Sequence, residues 1–273
     1  MIVVTGATGN VGRTLVRALT ETGEPVTAVA RRITAADVPA GVRAVPADLA
    51  APATLRPALS AADALFLLVA GEDPDAIVAA ARDAGVRKVV LLSSQGVGTR
   101  PEAYRHPARF EEAVAGSGLD WTVLRSGGLA SNALAWAEPI RAHRTAAAPF
   151  GDVGLPFVDP DDVAAAAAAV LRQDAHKGRT YVLTGSEPST PRARAAAIAE
   201  AIGEPVRFVE QTREEAHAQM SRFMPAPIVE GTLAILGDPT PDERRVSPDV
   251  RTLLGRPAAP FTAWAQRNAA AFR

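Results

Sequence analysis

The amino-acid sequence predicts a doubly wound α/β fold: a parallel (Rossmann) sheet with a small, mostly helical C-terminal subdomain on its substrate side. Three observations predict it. The chain opens on an apolar run that meets a glycine turn, Thr5-Gly6-Ala7-Thr8-Gly9-Asn10-Val11-Gly12, and an amphipathic run follows. Up to Arg125, short Val/Leu/Ile runs then alternate with helical stretches. Those runs are continuously apolar, as in strands buried on both faces. Strand and helix in strict alternation mark a doubly wound sheet.

In order, strands are expected at Ile2–Val4, Pro25–Ala30, Val42–Pro46, Ala64–Val69, Lys88–Ser93 and Trp121–Leu124. Helices are expected between them at Val11–Thr22, Ala53–Leu59, Asp75–Ala84 and Pro107–Ser117. Gly23 and Gly85 follow helices and Gly118 precedes the sixth strand, where chain reversal favours glycine. After Arg125 the rhythm changes. Ser126-Gly127-Gly128 reads as a loop, and Leu129–Ala137 as a short helix stopped by Pro139. Pro156-Phe157-Val158 reads as a strand. Asp159-Pro160 then opens a helix through Leu171, with aspartate as N-cap and proline at the first position. Thr180–Leu183 returns as a strand, and residues 191–273 are mostly helical, with a short strand at Val206–Val209. The chain thus divides into residues 1–150, a nucleotide-binding Rossmann domain, and 151–273, which returns strands to the sheet and forms a helical lid.

Composition narrows the function. Of 273 residues 48% are apolar, enough for one large core, and the formal net charge of -1 gives no reason to expect nucleic acid or an anionic membrane. The absence of cysteine excludes disulfides, thiolate metal sites and a cysteine nucleophile. The four histidines show no metal-ligand spacing, so no metal is expected. Asp159, Asp161 and Asp162 stand at a helix start, where capping accounts for them. A strand beginning at residue 2 leaves no room for a signal peptide, and the alanine run Ala164–Ala169 is too short to span a bilayer. A cytoplasmic protein, monomer or homodimer, is expected.

The glycine turn carries the first chemistry. Glycines spaced G-x-x-G-x-x-G between strand and helix let backbone N–H groups approach a pyrophosphate at the positive end of the helix. Gly6 and Gly9 permit the turn, and Gly12 lets helix and strand pack closely. The end of the second strand chooses the nucleotide. A chain that prefers NAD places a carboxylate there for the ribose 2′-OH. This chain continues instead as Arg31-Arg32, with Asp37 several residues on. Two guanidiniums suit a 2′-phosphate, so NADP(H) is the expected cofactor.

With those residues in view, the chain resembles the NmrA-like branch of the atypical short-chain dehydrogenases. The resemblance runs through Thr5–Gly12, Arg31-Arg32, Ala47-Asp48-Leu49, Val89–Ser94, Ser117–Arg125, Pro156–Asp159, Tyr181–Gly185 and a C-terminal Gly255-Arg256-Pro257. It implies that Thr8, Asn10 and Val11 line the pyrophosphate turn beside the glycines, and that Asp48 and Leu49 hold the adenine. It implies further that Leu68, Val69 and Ala70 pass under the nicotinamide ribose and that Ser93 and Ser94 face the nicotinamide. Gly127, Gly128 and Leu129 would border the substrate mouth.

Most short-chain dehydrogenases use Tyr-x-x-x-Lys, and this chain cannot: Ala108 and Gly185 stand four positions after Tyr104 and Tyr181. Tyr104, His106 and Ser94 remain as candidate catalytic groups, His106 as the acid that titrates nearest neutral pH. Leu129, Trp136, Met220 and Phe223 are candidate apolar walls of the pocket, since such sites are mostly apolar with few polar groups. Glu111-Glu112 is expected to face solvent and Gly96-Val97-Gly98 to form a flexible loop. The expected activity is NADPH-dependent reduction of a conjugated, fairly apolar quinone, enone or imine by direct hydride transfer. An NADP(H)-sensing regulator with a protein partner, or a lyase, cyclase or epimerase on the same scaffold, is the alternative.

Overall fold

In the computed structural model, which describes residues 1–273, nine strands order the chain. They are β1 (Ile2–Thr5), β2 (Val26–Ala30), β3 (Arg43–Pro46), β4 (Ala64–Leu68), β5 (Lys88–Ser94), β6 (Asp120–Ser126), β7 (Thr145–Pro149), β8 (Arg179–Leu183) and β9 (Arg207–Gln211). Seven form one parallel sheet in the order β3-β2-β1-β4-β5-β6-β8. The order reverses between β1 and β4, and ligands of open α/β sheets bind at such a switch point, beyond the carboxyl ends of the strands. Thr5 fastens this junction: its hydroxyl donates to the Phe66 carbonyl at 2.9 Å and accepts from the Leu68 amide at 2.9 Å.

The first helices are α1 (Asn10–Glu21), α2 (Arg56–Leu59), α3 (Pro74–Asp83), α4 (Gly96–Thr99), α5 (Arg105–Ala115), α6 (Ala137–His143) and α7 (Pro160–Arg172). Then come α8 (Pro191–Ile202), α9 (Arg213–Met220), α10 (Ala226–Gly237), α11 (Pro241–Arg244), α12 (Asp249–Leu254) and α13 (Phe261–Arg267). Helices α1, α7 and α12 cover one face of the sheet through Leu15, Leu19, Ala167, Val170 and Val250, all buried. Helices α2, α3 and α5 cover the other through Leu59, Ile77, Phe110 and Val114. The alanines of α7 bring its backbone close to α1, and each fully buried leucine or valine contributes about 1.5–3 kcal/mol. As expected, Asp159 caps α7, accepting from the Asp161 amide at 3.0 Å. The neighbouring carboxylates hold the C-terminal segment as well: Asp162 pairs with Arg256 at 2.7 Å and accepts from the Ala259 amide at 2.6 Å, and Asp159 pairs with Arg267.

Three local expectations are corrected, and one strand is added. Pro139 does not stop a helix: a 3₁₀ segment, Ala130–Trp136, runs on into α6, and Pro139 sits in the first turn of α6, where its missing N–H has no partner to lose. Pro156-Phe157-Val158 is no strand and contributes a single bridge, Leu129 with Val158, because Pro156 has no N–H to donate and Asp159 already opens α7. Gly96-Val97-Gly98 forms the turn of α4. An unexpected strand, Thr145-Ala146-Ala147-Ala148-Pro149, pairs in parallel with β9. Alanine is a poor strand former, and the pairing itself makes β7 extended. A third cluster, with Ile140, Ala146, Ile198 and Trp264, packs this small sheet against α6, α8 and α13.

Candidate active site

The cleft over the switch point is built from backbone. Gly6 has φ of 64°, and Gly9 caps α1 without any side-chain hydrogen bond, so no side chain claims the first amides of that helix. A Cβ on Gly12 would stand 2.2 Å from the Gly6 carbonyl oxygen. Only glycine admits this contact between helix and turn. Leu68 packs beneath Gly6, while Thr8 is half-buried and Gly9 and Asn10 are exposed at the rim. Val11 is buried in the core below them.

Arg31 and Arg32, just past β2, are exposed, and their guanidiniums make no ion pair or hydrogen bond within the chain. Asp37 is occupied elsewhere. Its carboxylate accepts from the Thr34 amide and hydroxyl, both at 2.8 Å, and these bonds hold it below the usual carboxylate range. Asp48 and Leu49 follow β3 at the same edge, with the Asp48 carboxylate accepting from the Ala50 amide at 3.0 Å. The loop after β4 crosses Leu49: Gly71, with φ of 84°, leaves no room for a Cβ beside the Leu49 carbonyl, 2.5 Å away. Val69 and Ala70 are half-buried in this loop.

Beyond the ends of β5 and β6 lies a cavity of about 580 Å³. Ser94, Tyr104, Ser126, Gly128, Trp136 and Phe157 line it, together with Met220, Phe223, Met224 and Leu236. Phe223 is 83% exposed and stands at the mouth. The Tyr104 ring lies directly on Gly96, where a Cβ would meet Cε2 and Cζ at 2.5 Å. Burial pushes the Tyr104 phenol up from its ordinary value, against the hydroxyls of Thr232 and Ser94 that face it, so it keeps its proton at neutral pH.

The structure brings together Ser94, Tyr104, Gly128, Trp136, Met220 and Phe223, and separates three other expected residues from them. Ser93 does not face the cavity. Adjacent strand residues point to opposite faces, and its hydroxyl donates to Glu111 at 2.6 Å on the α5 side. His106 lies outside as well: its Nε2 is 2.8 Å from the Gly71 carbonyl oxygen and its ring packs edge-on to Phe110. Leu129 packs on the core beside α7 and is tied to Val158 by a backbone bridge. Glu111 differs from expectation too. It is half-buried and receives bonds of 2.7 to 3.2 Å from the Arg125 guanidinium, whereas Glu112 is exposed.

Two charged residues line the cavity, Glu243 and Arg194. Glu243 is neutralised: Arg100 donates to both its oxygens, at 2.9 and 3.0 Å, and the Thr240 amide adds a bond of 2.8 Å. Burial opposes its ionisation, but Arg100 and Thr240 outweigh burial and hold the carboxyl below its usual range. Arg194 has no such partner.

Residues 6–174 match the family model for NAD(P)H-binding proteins, more than half of the chain. The chain belongs to this NAD(P)H-binding family. Two relatives span the full length of the chain. A (4-alkanoyl-5-oxo-2,5-dihydrofuran-3-yl)methyl phosphate reductase of Streptomyces griseus is 38% identical over 281 residues, covering 100% of this chain and 99% of its own. An NAD(P)H azoreductase of Xenophilus azovorans is 33% identical over 286 residues, covering 100% and 99%. The solved structure of an NADPH-dependent quinone oxidoreductase of Escherichia coli in complex with NADPH superposes with a TM-score of 0.80 at 26% identity, covering 98% and 99%. The chain is an NAD(P)-dependent oxidoreductase. No helix is long and apolar enough to cross a membrane.

The residues present fit the family's dinucleotide. The Gly6–Gly12 cradle is one that any Cβ at Gly12 would fill, and α1 offers uncapped amides to a pyrophosphate. Sequence reasoning missed Phe157, Thr232 and Arg194 as cavity residues. A signal for Arg194 was available: it shares the i, i+4 stripe of Ile198 and Ile202, and a charge on an otherwise buried apolar face asks for an explanation.

Proposed function

We propose that this chain is an NADPH-dependent reductase of an electron-poor π bond in a conjugated, largely apolar small molecule: a quinone, an enone, or a C=N or N=N acceptor. One observation carries the reading. The cavity beyond β5 and β6 is walled largely by apolar side chains, and the protonated Tyr104 phenol lines it beside Ser94 and Thr232. The dihydrofuranone phosphate, azo and quinone acceptors named for the relatives share an electron-poor π bond, which supports this substrate class. Exposed, unpaired Arg31 and Arg32 support NADPH over NADH.

When bound, the dinucleotide would supply the hydride, a proton with two electrons, that the π bond takes up at one end. The chain's own residues do the remaining work. Trp136, Phe157 and Met220 hold the flat acceptor and exclude water, so orientation lowers the barrier. Breaking the π bond leaves an electron pair on the oxygen or nitrogen at the far end. Tyr104 Oη holds the proton for that atom, and the Ser94 and Thr232 hydroxyls steady the phenolate until solvent restores the proton. His106, bonded to the Gly71 carbonyl, takes no part.

Stopped-flow oxidation of NADPH against a panel of quinones, enones, imines and azo dyes tests the proposal. Acceleration with at least one acceptor class, one equivalent of NADPH consumed per two-electron reduction, is expected. If no acceptor accelerates oxidation above the protein-free rate, the reductase reading falls, and product formed without net NADPH consumption assigns the scaffold to an isomerase or lyase instead.

A further inference from the structure

Arg194 is 7% exposed, lines the cavity, and has no counter-charge. Its guanidinium carbon lies 3.7 Å over the Phe157 ring and 5.8 Å from the centroid of Trp136. Ring faces attract a cation but accept few of the five N–H bonds that a guanidinium offers. No protein group accepts a hydrogen bond from this side chain, and Nε is buried without a partner. Burial pushes the guanidinium down to about 10, so it stays cationic at neutral pH.

This placement is unfavourable for folding alone. A buried cation without a partner costs free energy, and α8 sets this one close to its own positive N-terminal end. Arg192, two residues earlier, shows the ordinary arrangement, paired with Asp152 at 3.0 Å and Glu210 at 3.2 Å. The only carboxylate on the cavity wall, Glu243, is already neutralised by Arg100. The cavity wall therefore carries one uncompensated positive charge, with its Nε donor unpartnered. A planar guanidinium braced on aromatic rings matches the two oxygens of an oxyanion.

We propose that Arg194 binds an oxyanion, a phosphate ester or a carboxylate, carried by the conjugated acceptor and so selects anionic substrates over neutral ones of the same skeleton. The inference rests on the reductase reading for its substrate. Apolar walls hold the conjugated part near Tyr104, and the charged appendage reaches the guanidinium between Phe157 and Trp136.

The test compares an enone bearing a primary alcohol with its phosphate monoester and its hemisuccinate, using NADPH-loaded wild type, Arg194→Met and Arg194→Lys. Wild type is expected to favour at least one anion over the alcohol. Arg194→Met should lose about 30-fold or more in kcat/KM for that anion beyond any loss for the alcohol, the scale of a charged hydrogen bond. Arg194→Lys should recover part of it. Phosphate over hemisuccinate identifies a phosphate ester, and the reverse a carboxylate. Phenyl phosphate titrated into the NADP⁺-loaded protein by calorimetry should bind wild type and fail to bind Arg194→Met. The proposal is overturned if wild type shows no preference for either anion, or if Arg194→Met lowers all three substrates equally. Should no acceptor be reduced at all, the reductase reading fails, and the phenyl phosphate titration still decides the anion site.

Discussion

Gly96→Ala offers a direct test of whether Tyr104 acts through its position. Gly96 begins α4 with ordinary helical geometry, so alanine is compatible with the backbone and raises helix propensity by about 1 kcal/mol. The new Cβ would lie 2.5 Å from Cε2 and Cζ of Tyr104, against an ordinary carbon contact of about 3.5 Å. The ring must retreat by roughly 1 Å, and a misplacement of that size at reacting atoms costs on the order of 100-fold in rate. Overpacking of about 1–3 kcal/mol is partly offset by the helix gain, so the fold should survive with a small change in Tm. The assay is kcat for the best conjugated acceptor at saturating NADPH, with NADPH affinity measured separately by fluorescence. Tyr104→Phe should lower kcat by about 10-fold or more, roughly 1.4 kcal/mol of barrier. Gly96→Ala should fall by a similar or larger factor, and the double variant should show strong non-additivity. Full kcat in Gly96→Ala, or simple multiplication of the two losses, would refute a mechanism that runs through the Tyr104 hydroxyl.

Four further outcomes follow from other parts of the site. Arg31→Asp with Arg32→Ala should weaken NADPH binding by about 100-fold and NADH binding far less, measured by fluorescence titration, because the lost donors serve only the 2′-phosphate; equal losses would displace the phosphate contact from these residues. Gly12→Ala, with its Cβ 2.2 Å from the Gly6 carbonyl oxygen, should abolish detectable nucleotide binding or yield unfolded protein by circular dichroism. Glu243→Gln should cost about 2–3 kcal/mol in urea unfolding at pH 7, since it leaves the half-buried Arg100 short of its partner. The Glu243 carboxyl is held below its unfolded value of 4.5, so its contribution is complete above that pH and vanishes as pH falls through the lower folded value; the gap between variant and wild type should close there. His106→Ala should leave kcat within about twofold, since the ring makes its bond to the Gly71 carbonyl outside the cavity.

The nucleotide half of the site was legible because its demands are local. Gly6, Gly9 and Gly12 answer to the geometry of one turn, and that turn opens the segment matching the NAD(P)H-binding family. The acceptor half depends on which distant segments meet. Arg194 and Phe157 reach one cavity only because α8 and the Leu155–Val158 segment are joined by the bridge of Leu155 to Ser189. The alanines of β7 carry no strand signal and become extended against Arg207–Gln211. His106 was misjudged for a different reason. Its type suits acid catalysis, but the first turn of α5 aims it at the loop after β4, and residue type says nothing about aim.

Ser93 and Ser94 show how one pair of residues serves the site from both faces of the sheet. The same alternation that turns Ser94 toward the cavity turns Ser93 toward Glu111. Glu111 in turn takes three charge-assisted bonds from Arg125, the neighbour of Ser93 on β6, so α5 is bolted to β5 and β6 from the side opposite the cavity. Tyr104 stands immediately before α5, with Gly96 of α4 beneath its ring. Its ring is therefore placed by the close contact with Gly96 and by the start of α5. In a chain without a lysine beside its tyrosine, burial outweighs the Thr232 and Ser94 hydroxyls and the phenol keeps its proton. On the reading proposed above, a neutral proton donor placed in this way suits acceptors whose reduction leaves a basic oxygen or nitrogen.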